Sequence, residues 1–144
     1  MHVAEILRHK GHDVISVSAD DTVADVACVL ARHRIGAVLV REGQSEILGI
    51  LSERDIVRSL CANGVAALTM TAGQIMTRAV HTATPQTTVA EVMTKMTAAR
   101  IRHLPVLEAG ALVGMISIGD VVKARIGEQE AEVDSLKAYV AGAA

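Results

Sequence analysis

The sequence predicts an α+β fold, sandwich-like in its layering. It is built from two copies of one strand–helix–strand–strand–helix unit, with an added C-terminal helix. Three observations predict it. The first is an internal repeat. Thr22-Val23-Ala24-Asp25-Val26 returns 66 positions later as Thr88-Val89-Ala90-Glu91-Val92, and Gly49-Ile50-Leu51-Ser52-x-x-Asp55 returns 65 positions later as Gly114-Met115-Ile116-Ser117-x-x-Asp120. The second is that short β-branched runs alternate with helical-period stretches inside each copy. The third is the filling available for a core. The 144 residues include no Phe, no Trp and one Tyr, so Val, Leu, Ile, Ala and Met must fill it. Two like halves in a chain of this length are expected to pack about a pseudo-twofold axis, with paired clefts that suit small ligands.

The elements follow in order. Val3, Ile6 and Leu7 fit a short amphipathic helix that ends near Gly11. Residues 14–17 read as a strand. Thr22 and Asp25 make a capping-box-like start to a helix with Val23, Val26, Ala27 and Leu30 on one face. Residues 37–40 and 47–51 read as a hairpin around the turn Glu42-Gly43-Gln44-Ser45. A helix over residues 52–62 should turn Ile56, Val57 and Leu60 inward. After a linker, a helix over residues 72–76 mirrors the opening one. Residues 80–83 should be the first strand of the second copy, residues 88–99 its helix, and residues 104–107 and 112–117 its hairpin around Ala109-Gly110. The helix from Ser117 should run towards Ile126, and Gly127 should separate it from a last helix over residues 128–141. That last helix is acidic early and carries Lys137 late, as the helix dipole prefers. Val133, Leu136, Lys137 and Val140 form a narrow stripe that docks either on its own domain or on a second subunit. The domain division is therefore residues 1–65, 66–127 and 128–144.

Composition excludes several function classes. The net charge of −2 lacks the basic footprint of a nucleic-acid binder, and aromatic platforms for base stacking are missing. No apolar run approaches the roughly 18 residues of a membrane span. The first residues, broken by Glu5, Arg8, His9 and Lys10, have no signal-peptide pattern. A cytoplasmic protein is expected. Cys28 and Cys61 read as small helix residues in a reducing compartment. The six histidines form no metal-ligand pattern, and neither a P-loop, a GxGxxG nor a nucleophile motif is present. Metal sites and catalytic residues are therefore not expected, and the chain is not expected to be an enzyme.

The duplicated Gly-aliphatic-aliphatic-Ser-x-x-Asp carries the chemistry. A buried strand ends at Ser52 or Ser117 and a helix begins there. Ser-x-x-Asp is a capping box, and as such only helix termination. The same atoms can also bind a ligand. A helix N-terminus accepts phosphate, and a carboxylate can take both hydroxyls of a ribose. The sequence leaves both readings open, because Thr22/Asp25 and Thr88/Glu91 show that ordinary caps are duplicated too. A second element, Arg100-Ile101-Arg102-His103, places basic side chains at a strand entrance where the first copy has Arg34-Ile35-Gly36-Ala37. If the two clefts bind anions, they should bind them unequally. Arg54 is a further candidate phosphate partner, with a surface ion pair as its alternative.

On these motifs, over about residues 13–126, the chain resembles a tandem pair of CBS domains, the Bateman module, and in particular small stand-alone bacterial two-CBS proteins. The resemblance implies two repeats packed sheet to sheet with two clefts. The usual ligands of such modules are AMP, ADP, ATP, NAD(H) and S-adenosylmethionine. The Asp holds the ribose, and the Ser contacts ribose or phosphate. One cleft would join Ser52 and Asp55 to Thr82, Ala83, Arg102 and His103. The other would join Ser117 and Asp120 to Ser16, Val17, Gly36 and Ala37. The first, with its basic end, is expected to take an AMP-like ligand. No resident cofactor is required. A homodimer and an unidentified regulated protein are the implied partners, with neither nucleic acid nor membrane among them. A ligand-free interaction protein whose motifs only cap helices is the alternative.

Overall fold

The computed structural model describes residues 1–44 and 46–143, so Ser45 of the first hairpin turn and Ala144 of the tail lie outside it. The chain forms two compact units. One is Val14–Val80. The other combines Met1–Asp13 with His81–Ala144.

In the first unit, β1 (Ser16–Val17) runs parallel to β2 (Ala37–Arg41), which pairs antiparallel with β3 (Ile47–Ser52). Helix α2 (Val23–His33) begins where the Thr22 hydroxyl accepts the Asp25 N–H, and buries Val23, Val26 and Leu30. It ends at Arg34, held in the left-handed region at φ 54°. Helix α3 (Glu53–Asn63) follows β3 directly. A 3₁₀ turn (Gly64–Thr69) then leads to the short α4 (Ala72–Ile75). Val17, Val23, Val26, Leu30, Val38, Val40, Leu51, Ile56 and Ala72 form the core.

Helix α3 corrects one expectation. Val57 and Leu60 are exposed, and its inward face is Asp55, Ile56 and Ser59. Apolar spacing misleads here because two polar residues on the inward face find partners. Asp55 bonds within its cap, and Ser59 bonds to the Met70 sulfur and the Asn63 amide. A satisfied polar group can be buried in place of an aliphatic one.

In the second unit, α1 (Val3–Lys10) packs with the core of the second repeat. Val3, Ile6 and Leu7 lie with Val89, Val92, Leu104, Val106 and Ile116. The N–H groups of Val3 and Ala4 reach the carbonyls of Thr87 and Pro85 at 2.9 Å each. Burying a Leu side chain such as Leu7 stabilises by about 1.5–3 kcal/mol. Helix α5 (Val89–Ala99) starts at a Thr88–Glu91 capping box and ends at left-handed Arg100, repeating α2 down to its cap. β4 (His103–Glu108) and β5 (Ala111–Ser117) form a hairpin closed by Ala109-Gly110, both at positive φ as a type I′ turn requires.

Two more expectations need correction. Residues 80–83 do not form a strand, and only Ala83 bridges, to Val106. In the first unit the Leu39 N–H donates to the Ile15 carbonyl. Pro105 stands at the corresponding place and has no N–H, so the ladder loses that rung. Nor does Gly127 end a helix. Helix α6 (Ile118–Ala143) is continuous through it. A single helical Gly costs only about 1 kcal/mol, and the residues after it are good helix formers.

Candidate functional site

Each unit builds the same corner. β3 ends at Ser52, paired with Ala37, and the Glu53 N–H donates to the Gly36 carbonyl at 2.9 Å. β5 ends at Ser117, paired with His103, and the Ile118 N–H donates to the Arg102 carbonyl at 2.8 Å. Strand entrance, strand end and helix start are thus locked together by backbone bonds.

The capping boxes are alike to a tenth of an ångström. The Ser52 N–H and hydroxyl donate to Asp55 Oδ2 at 2.9 and 3.1 Å, and the Asp55 N–H returns to Ser52 Oγ at 3.3 Å. The Ser117 N–H and hydroxyl donate to Asp120 Oδ2 at 2.8 and 3.0 Å, with the Asp120 N–H returning at 3.3 Å. The motif glycine has its own physical reason. A Cβ on Gly49 would lie 2.7 Å from the Met76 sulfur and 2.8 Å from the Thr77 carbonyl oxygen, and one on Gly114 would lie 2.6 Å from Leu7 Cδ2.

The outer partners of the two carboxylates differ. Thr77 pairs by backbone with Ile50, in both directions, and its hydroxyl donates to Asp55 Oδ1 at 3.1 Å. Arg58 stands 3.8 Å from the same oxygen but is largely exposed. In the other unit Lys10 fills that role. Its ammonium donates to the Met115 carbonyl at 2.8 Å and to Asp120 Oδ2 at 2.7 Å. His12 Nδ1 donates to the Val113 carbonyl at 2.8 Å, so two side chains line the outer edge of β5. Burial pushes the Asp120 carboxyl up, but the bonds from Lys10 and Ser117 outweigh it and hold the group below the usual carboxylate range.

The expected site residues divide between the units. Ser16, Val17, Gly36, Ala37, Ser52, Arg54 and Asp55 belong to Val14–Val80, and Thr82, Ala83, Arg102, His103, Ser117 and Asp120 to the other unit. Within a unit, Gly36 and Ala37 adjoin Ser52, while Arg102 and His103 adjoin Ser117. Ser16 and Val17 are in β1, Arg54 is exposed in the first turn of α3, and the Thr82 carbonyl accepts from Lys95 at 2.7 Å. Sequence reasoning missed Thr77 and Lys10. The available signal was the mirrored pair of short helices that precede them or carry them.

The comparisons with known proteins agree with this architecture. The CBS domain model matches residues 3–62 and 72–127. The chain belongs to the CBS-domain family. This CBS pair is similar to the mitochondrial CBS domain-containing protein CBSX3 of Arabidopsis thaliana, with 36% identity over 97% of this chain and 72% of that protein. It is also similar to the CBS-domain containing protein ATU1752 from Agrobacterium tumefaciens, with 42% identity and a TM-score of 0.85 over 86% of this chain and 92% of that one. The CBS domain pair of protein MJ0100, solved in complex with 5′-methylthioadenosine and S-adenosylmethionine, shares 26% identity and a TM-score of 0.78 over 89% of this chain and 98% of that one. The α+β CBS pair fold, with two repeats and a long C-terminal helix, is thereby established. Among the described residues, no helix is long and apolar enough to cross a membrane.

Proposed function

We propose that this CBS pair is a cytoplasmic regulatory module that binds an adenosine-containing ligand at the Ser52–Asp55 helix start. Its occupancy then shifts the surface offered to a second copy or to a regulated protein. The role is sensory rather than catalytic. The observation that carries the reading is the duplicated Ser/Asp corner, in a chain whose relative MJ0100 is solved with two adenosyl ligands. The difference between the outer partners supports the choice of corner. A ribose hydroxyl can replace the neutral Thr77 hydroxyl at Asp55 like for like. At Asp120 it would have to displace the Lys10 ammonium, and a neutral hydroxyl cannot replace the attraction between two opposite charges. Ser16, Val17, Gly36, Ala37, Arg54, Thr82, Ala83, Arg102 and His103 are the further ligand-contact candidates.

The test is calorimetry and thermal shift with S-adenosylmethionine, methylthioadenosine, AMP, ATP and NADH. Saturation at 100 times Kd should add about 2.7 kcal/mol of stability. Asp55→Ala should abolish the stronger binding, and Asp120→Ala should leave it. Loss in Asp120→Ala alone would reverse the ranking of the two corners. A second reading, a ligand-free interaction protein, is favoured by the internal partners both carboxylates already have. Absence of a shift with every ligand, in folded protein, would establish that reading and sink the first.

A further inference from the structure

From Gln129 to Gly142, helix α6 runs with every residue exposed. A segment of this length is marginal as an isolated helix in water, so it calls for a partner. Its large apolar residues, Tyr139 excepted, are not scattered. Val122, Ile126, Val133, Leu136 and Val140, each about half or more exposed, fall on one stripe. At 100° per residue this stripe lies about a quarter-turn from Val121, which faces the unit's own core.

The spacing of the stripe is heptad spacing. With Ile126, Val133 and Val140 at a, the d positions are Val122, Gln129 and Leu136. Branched residues at Ile126, Val133 and Val140, with Leu136 at d, favour two strands over three or four in a parallel coil. The flanks agree. Arg125 and Glu132 fall at g, and Lys123, Glu130 and Lys137 at e. In a parallel pair, g of one helix meets the following e of the other, so Arg125 faces Glu130 and Glu132 faces Lys137. Each contact joins opposite charges. In the fully overlapped antiparallel register, e faces e and g faces g. Lys123 would then meet Lys137, Glu130 would meet Glu130 and Glu132 would meet Glu132. Arg125 already bonds Glu128 in its own helix at 2.9 Å, so the Glu132–Lys137 contact is the more discriminating of the two.

We propose that α6 forms a parallel two-stranded coiled coil with α6 of a second copy of this chain, closed by Val122, Ile126, Gln129, Val133, Leu136 and Val140. The interface uses no residue of the two Ser/Asp corners.

Sedimentation of the full chain, with circular dichroism to confirm folding, provides the test. The native chain should be a dimer at micromolar concentration. Glu132→Lys and Lys137→Glu should each weaken dimerisation roughly tenfold, since two facing pairs per dimer turn repulsive. The double swap should restore the native dimer, because positions 132 and 137 would again carry opposite charges where they face. In a Cys28→Ser, Cys61→Ser background, Val140→Cys should form an intermolecular disulfide on mild oxidation, because parallel strands bring the two copies of position 140 together. A native monomer, a dimer indifferent to both single reversals, a double swap without rescue, or no disulfide in the Val140→Cys dimer would overturn the proposal.

Discussion

Asp55 and Asp120 stand at the same point of the same motif, yet a hydroxyl holds one and an ammonium the other. The outer edges of the final strands differ in the same way. β3 is covered by backbone pairing from Thr77, while β5 is covered by the side chains of Lys10 and His12. The repeat therefore copies the geometry of the corner and leaves its chemistry to residues outside the motif. A helix start can be duplicated without duplicating the charge around it. Two corners of one design then differ in what they can release to a ligand.

The largest expected effect tests the shared geometry. Gly49→Ala meets a backbone carbonyl as well as Met76, and should destabilise by about 2–3 kcal/mol in urea denaturation. Gly114→Ala meets first the Leu7 side chain, whose end can shift, and should destabilise by about 1 kcal/mol. Equal losses would mean that the two close approaches are equivalent after all. The next effect tests the charge. Asp120 titrates low in the folded state, so its contribution is present above the unfolded carboxyl range and is lost as pH falls through the folded value. Lys10→Met should raise the pH at which Asp120 titrates by carboxyl NMR, and should move acid unfolding to higher pH. Both partners are partly exposed, so the loss at neutral pH should stay below about 1 kcal/mol. An unmoved Asp120 titration in Lys10→Met would remove the ion pair from the comparison. The smallest effect concerns the missing rung. Pro105→Leu supplies an N–H facing the His81 carbonyl, and that amide should become protected in hydrogen exchange. Global stability should change little, because losing the ring also frees the unfolded chain. An unprotected amide would show that something other than the missing donor keeps residues 80–83 out of the sheet.

Much of this is legible in the sequence. The repeat, both hairpins, the capped helices and the Ser/Asp boxes all rest on local signals: alternation, periodicity, turn residues and caps. What escapes is non-local. The inward face of α3 depends on Met70 and Thr77, which lie outside the helix. Pro105 silences a strand that is itself patterned correctly. Lys10 reaches a carboxylate 110 positions away, and no spacing rule spans that distance. Gly127 is legible but easily over-read, since one glycine among helix formers weakens a helix without ending it.

The split of Met1–Asp13 from the rest of its unit also sets an order of events during synthesis. Val14–Val80 is contiguous and can close its core as soon as its last strand and helices emerge. Val3, Ile6 and Leu7 must wait for Leu104, Val106 and Ile116. With roughly 100 residues between them and translation at about 5–20 residues per second, the wait is about 5–20 s. Throughout it the apolar face of α1 is open to chaperones and to neighbouring nascent chains, so α1 is made before the rest of its unit and buried only with it.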